Sequence, residues 1–86
     1  MIRHTKHSRE NMEDRGATES EVADTIQMGA EYPAHPPKLG REMVFRDGYE
    51  HKGRRYPHKL IRVFYVEEGS VTVVVTIITK YGEWIE

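Results

Sequence analysis

The stretch "HKLIRVFYVEEGSVTVVVTIIT", residues 58 to 79, constrains this chain more than any other part of it. Two runs of β-branched and aromatic residues, types that suit a pleated strand, flank "EEGS", where Gly69 can take the positive φ of a tight turn. The pattern predicts an antiparallel hairpin pairing residues 59–66 with 71–79. In the first run Ile61, Val63 and Tyr65 share one face and Arg62 lies on the other. The second run alternates poorly, as a central strand covered on both faces does. At 86 residues the chain has room for one core, and its hydrophobic content of 37% is low, so these two runs must carry much of it.

The segments before the hairpin are punctuated as helices. Thr5 can cap a first helix over residues 5–15, Gly16 supplies the left-handed residue that ends it, and Arg15 suits the negative end of the helix dipole. Ser8, Met12 and Arg15 fall on one face with His7 and Asn11 beside them, a face poor in large apolar groups. A small residue such as Ser8 lets the helix lie close to its support. "TESE" is a capping box opening a second helix over residues 19–28, with Val22, Ala23 and Ile26 as its buried stripe and Gly29 as its stop. The short connection between the two predicts an αα-hairpin.

"EYPAHPPKLG", with three prolines, is a loop, or an edge strand followed by one. A strand is expected around Glu42 to Arg46, then a hairpin turn at "HKGR" with Gly53 at positive φ. "YGEWIE" is either a short last strand or a tail packing Trp84 and Ile85 on the sheet. The order ααββββ makes residues 1–86 a single α+β domain, an N-terminal αα-hairpin packed on an antiparallel sheet of three to five strands.

The net charge of −1 conceals an asymmetry. Residues 38–62 hold eight Lys/Arg against three Asp/Glu, a net of +5, whereas 1–37 (four against seven) and 63–86 (one against four) each carry −3. The basic middle either binds nucleic acid, through Lys52, Arg54, Arg55 and Lys59, or merely solubilises a hairpin. With no cysteine, disulfides and thiolate metal sites are excluded. No apolar stretch is long enough to span a membrane and no signal-peptide core opens the chain, so a cytoplasmic protein without a membrane partner is expected.

Five histidines raise the question of a metal. His4 and His7 stand at i, i+3, but His4 precedes the helix cap, and His35, His51 and His58 lie in loops or hairpin ends without ligand spacing. No metal is expected. Phosphate-binding glycine loops and nucleophile elbows are missing too. What remains, histidine with arginines, lysines and tyrosines around a small sheet, suffices for cofactor-free RNA cleavage by 2′-OH attack. That reaction needs one base, one acid and cations around the phosphorane.

Residues 5–22, "TKHSRENMEDRGATESEV", resemble the opening of a widespread bacterial and archaeal family of unknown function. Its members begin with a helical hairpin reading roughly T-x-H-A…R-M…R-G-I…E-V and finish with a strand reading V-x-V-V-T-V. "VTVVVTII", with Thr76 in the matching place, resembles that finish; Ser8 replaces the usual alanine and Ala17 the usual isoleucine. The family is similar to the small toxins of the RelE, ParE and BrnT type, two helices on an antiparallel sheet, several of them ribonucleases held inactive by an antitoxin. The resemblance therefore implies a RelE/ParE-like fold, a metal-independent endoribonuclease of a toxin–antitoxin pair, RNA as substrate and a cognate antitoxin as partner.

By position, His7, Arg15 and Thr76 match the motifs, and Lys80 and Tyr81 fall where RelE-like proteins often place active-site residues. The expected catalytic set is thus His7 as acid and base, Arg15, Arg62 and Lys80 as phosphate and transition-state contacts, and Tyr81 beside them. The three motif matches each have a structural alternative: Arg15 as a helix cap paired with an acid, Thr76 as an ordinary strand residue, His7 bonded to the sheet or hairpin loop; Arg62 either reaches an exposed sheet face or is paired. The rival function is a non-catalytic module binding protein or nucleic acid.

Overall fold

A computed structural model describes residues 1–46 and 48–82. Its elements in chain order are β1 (Ile2–His4), α1 (Lys6–Arg15), α2 (Glu19–Met28), β2 (Ala30–Tyr32), β3 (Leu39–Phe45), β4 (Tyr49–His51), β5 (Arg54–Tyr56), β6 (His58–Glu68) and β7 (Val71–Gly82). The two β-branched runs form the antiparallel hairpin β6–β7, turned at Gly69 with φ 64°. The register slips once, between Phe64 and Tyr65, where Thr76 and Val74 are the partners and Val75 bulges out.

Around that hairpin the main sheet runs β1-β7-β6-β3-β2, and β4–β5 forms a separate two-stranded ribbon. The fold is α+β, but the sheet is mixed, because β1 runs parallel to β7. An antiparallel sheet preceded by both helices was the expectation, and the first strand corrects it. Thr5 makes the strand-to-helix switch abrupt. Its N–H completes the β1 ladder on the Val74 carbonyl (3.3 Å), and its hydroxyl accepts from the Ser8 N–H (3.1 Å) to cap α1.

Both helices lie at the predicted spans, with the predicted cap at Gly16 and the capping box at Thr18 and Glu21. The αα-hairpin is matched only loosely. Each helix packs mainly on the sheet, α1 over β7 and α2 over β6 and β3. Met12, Ala17 and Val22 meet Ile61, Val63, Tyr65, Val74 and Ile77 in one buried cluster. The proline segment proves to be an edge strand, β2, followed by a loop, and β3 starts at Leu39, ahead of the expected Glu42.

β7 is interior to the sheet, yet only one of its faces is covered by helix. Val73, Val74 and Ile77 are buried while Val75, Thr76 and Ile78 are half-exposed, so the expectation of cover on both faces holds in part. Its outer edge is unusual. β1 pairs only with Thr72 to Val74, and beyond that point α1 replaces a strand: Asn11 Oδ1 accepts from the Ile77 N–H (3.2 Å) and Arg15 Nη1 donates to the Ile77 carbonyl (3.0 Å). That explains how a helix with so few large apolar residues is held. The readings of Trp84 and Ile85 lie outside the described residues. Among those residues no helix is long and apolar enough to cross a membrane.

Candidate nucleic-acid interface

One end of the helix-covered face brings together the α1–α2 junction, the start of β6, the end of β7 and the β4–β5 ribbon. Lys59 and Tyr81 are register partners there, both pointing toward the helices. Lys59 is 3% exposed; its Nζ donates to the Gly16 carbonyl (2.9 Å) and to Glu21 Oε1 (2.7 Å). Glu21 at the same time receives the Thr18 N–H (3.0 Å), so one carboxylate joins the helix cap to the strand. Tyr81 donates its hydroxyl to the Arg15 carbonyl (2.6 Å), and burial first, then the nearby Glu21 charge, pushes its pKa up, keeping it protonated.

The ribbon closes over this anchor. "YEHKGRRY" turns through Lys52 and Gly53, both at positive φ (52° and 79°), the conformation of a two-residue type I′ hairpin. A two-residue turn puts Tyr49, His51, Arg54 and Tyr56 on one ribbon face. The His51 imidazole stacks on Tyr81 with centroids 4.4 Å apart and 12° between planes, and Tyr56 leans on the same ring at 5.3 Å. The Arg54 guanidinium stands 5.7 Å from the Tyr56 ring centre, and Lys59 Nζ lies 4.3 Å from that of Tyr49. Lys52, Arg54 and Arg55 are exposed along the rim. The result is three solvent-facing cations on a ribbon clamped to the core by a stack of three rings.

The structure places the expected catalytic residues in separate regions. Arg15 and Tyr81 meet at the anchor, but both have structural partners: the Arg15 guanidinium closes the β7 edge and the Tyr81 hydroxyl holds the end of α1. His7 is exposed on α1, about 12 Å along the axis from Arg15 at 1.5 Å per residue. Arg62 and Lys80 project from the opposite face of the sheet. Arg62 Nε pairs with Glu42 Oε1 (3.0 Å) and its guanidinium lies 3.9 Å from the Tyr32 ring centre; Lys80 is exposed opposite Leu60. No single phosphate can meet His7, Arg15, Arg62 and Lys80 in this arrangement.

Lys59, expected among the nucleic-acid contacts, is turned toward the interior. A strand start in a basic segment suggested a nucleic-acid contact, but this ammonium is buried and spent on Gly16 and Glu21. By sequence, His51 falls in a loop or hairpin end and is noted only as lacking metal-ligand spacing. The signal that finds it is the symmetry of Tyr49-x-His51-Lys-Gly-Arg54-x-Tyr56, which puts four ring or cation residues on one face once the turn has two residues. Among the described residues no group of three or more His, Asp or Glu is arranged to hold a metal ion. No family profile, curated protein or solved structure matches the chain.

Proposed function

We propose that this domain acts on RNA, taking single-stranded RNA on the β4–β5 ribbon and the ring stack behind it, as a toxin-type protein of the kind its opening and closing motifs resemble. One observation carries the reading: Lys52, Arg54 and Arg55 are exposed on a ribbon whose His51 and Tyr56 rings pack on Tyr81 of β7. Cations spaced along a hairpin track a phosphate backbone, and aromatic faces accept unpaired bases of any sequence. A duplex hides those base faces, so single strands are the preferred form.

Within this reading the acid and base of any cleavage is His51 rather than His7. Its imidazole stands beside the rim cations, and an imidazole can take up and return the 2′-OH proton. The partner implied by the resemblance, an antitoxin, would cover the same ribbon with an acidic segment.

The test is fluorescence anisotropy with a labelled single-stranded oligoribonucleotide and its duplex, followed by electrophoresis of the incubated RNA. Wild type is expected to prefer the single strand. Tyr56→Leu is expected to weaken binding by about 1–3 kcal/mol, the worth of one base on an aromatic face. Loss of strand scission in His51→Gln with binding retained supports the nuclease reading, and binding without scission in wild type leaves a non-catalytic RNA-binding module. Equal affinity for single strand and duplex contradicts the stacking site.

A further inference from the structure

The sheet face turned away from the helices carries a pocket of about 380 Å³, lined by Pro33, Ala34, His35 and Lys38 of the β2–β3 loop and by Phe64 and Thr76 of the sheet. Its volume falls within the range of small-molecule sites. The floor is built rather than incidental. Gly40 is the register partner of Phe64, and a Cβ there would stand 3.3 Å from Phe64 Cε1 and 2.6 Å from the Tyr32 carbonyl oxygen. The bare glycine therefore lets the Phe64 ring settle on the β3 backbone. Tyr32 meets that ring edge-on, at 5.9 Å and 76°, and Tyr32 is itself held under Arg62, which is paired with Glu42.

Three chemistries converge on this floor. Phe64 offers a positioned aromatic platform, Thr76 beside it a hydroxyl that donates and accepts, and Lys38 with His35 N–H donors and a positive charge at the mouth. No acidic side chain lines the pocket. We infer that this pocket binds a nucleoside monophosphate, with the base on Phe64, a base or ribose group on Thr76 and the phosphate at Lys38 and His35. An aromatic carboxylate would use the ring and the cation but leave Thr76 unengaged and the volume underfilled. Free phosphate would use the mouth alone. The pocket shares no residue with the β4–β5 ribbon and stands independently of the RNA reading.

Titration of the full chain with adenosine monophosphate, ribose 5-phosphate and indole-3-acetate, read by backbone amide shifts, tests the assignment. Adenosine monophosphate is expected to move the amides of Ala34, Lys38, Phe64 and Thr76 saturably at millimolar concentration, with both other probes weaker. Lys38→Glu, on an exposed loop where folding is not at stake, and Phe64→Leu are each expected to weaken binding about tenfold, through loss of a phosphate contact and of a stacking face. The Lys52→Ala/Arg54→Ala/Arg55→Ala variant is expected to bind adenosine monophosphate as wild type does, which separates this site from the ribbon. Unsaturable shifts in wild type, unchanged affinity in Lys38→Glu, ribose 5-phosphate equal to the nucleotide, or tighter binding of indole-3-acetate would each overturn it.

Discussion

At the residue scale, this domain is held by polar side chains placed where a sequence pattern would look for apolar ones. Asn11 and Arg15, one turn apart on α1, satisfy both backbone groups of Ile77. Truncating Asn11 to alanine leaves a buried N–H without a partner, and a loss of about 1–3 kcal/mol is expected in urea unfolding. A midpoint equal to wild type would show that this edge bond contributes nothing. Lys59 makes a sharper case. Its ammonium and the Glu21 carboxylate are 4% and 15% exposed. Removing one partner of so shielded a pair costs about 3 kcal/mol or more, whereas replacing both, Lys59→Met with Glu21→Gln, is expected to recover much of that loss. If Lys59 contacted RNA instead, Lys59→Ala would lower affinity without lowering stability.

His4 adds a pH dependence. Its side chain is 4% exposed, with Nδ1 3.4 Å from Ser8 Oγ and Nε2 4.0 Å from Glu19 Oε1. Burial lowers its pKa below the ordinary value, against the raising pull of Glu19 and with a smaller lowering contribution from Arg9. The folded chain then binds fewer protons than the unfolded chain below about pH 6.5, so stability rises with pH through this window. The contribution is complete above the unfolded pKa and is lost as pH falls through the folded one. Thermal midpoints measured between about pH 7 and pH 5.5 are expected to drop on acidification in wild type and to drop less in His4→Gln. Identical slopes would remove His4 from the account.

At the scale of elements, strands and caps were legible where the chain's local chemistry is strong. The β6–β7 hairpin, the Thr18 capping box and the turn at Lys52 and Gly53 all follow from residue types within a few positions. β1 was not legible, because Ile2–His4 is three residues long, lacks alternation, and owes its structure to Thr72–Val74 some seventy positions away. The ribbon turn carries its own prediction. Lys52 holds a left-handed conformation that a side chain without local hydrogen bonding tolerates poorly, so Lys52→Asn, which builds the favoured Asn-Gly turn, is expected to stabilise the ribbon by up to about 1 kcal/mol. Slower amide exchange across Tyr49 to Tyr56 would register the gain; faster exchange would mean that Lys52 makes a compensating contact. The same variant loses one cation, so it uncouples ribbon stability from RNA affinity.

At the scale of the whole molecule, the candidate site was half legible. Composition pointed to the basic middle of the chain, and Lys52, Arg54 and Arg55 are exposed there, with Arg54 and Arg55 on opposite faces of the ribbon. What the sequence could not show is which cations the fold consumes: Arg15, Arg62 and Lys59 are engaged by a carbonyl, a carboxylate and both together, since pairing across the sheet decides who is left facing water. The proposed function stands on Lys52, Arg54 and Arg55 meeting RNA phosphates. It is tested most directly by anisotropy titrations of a single-stranded oligoribonucleotide at several salt concentrations, on wild type and on Lys52→Ala/Arg54→Ala/Arg55→Ala. Binding is expected to weaken in the variant, and the slope of log affinity against log salt to become shallower by about 2, at about 0.7 per single-strand phosphate contact. An unchanged slope would contradict it and leave those residues as solubilising charge on a structural ribbon.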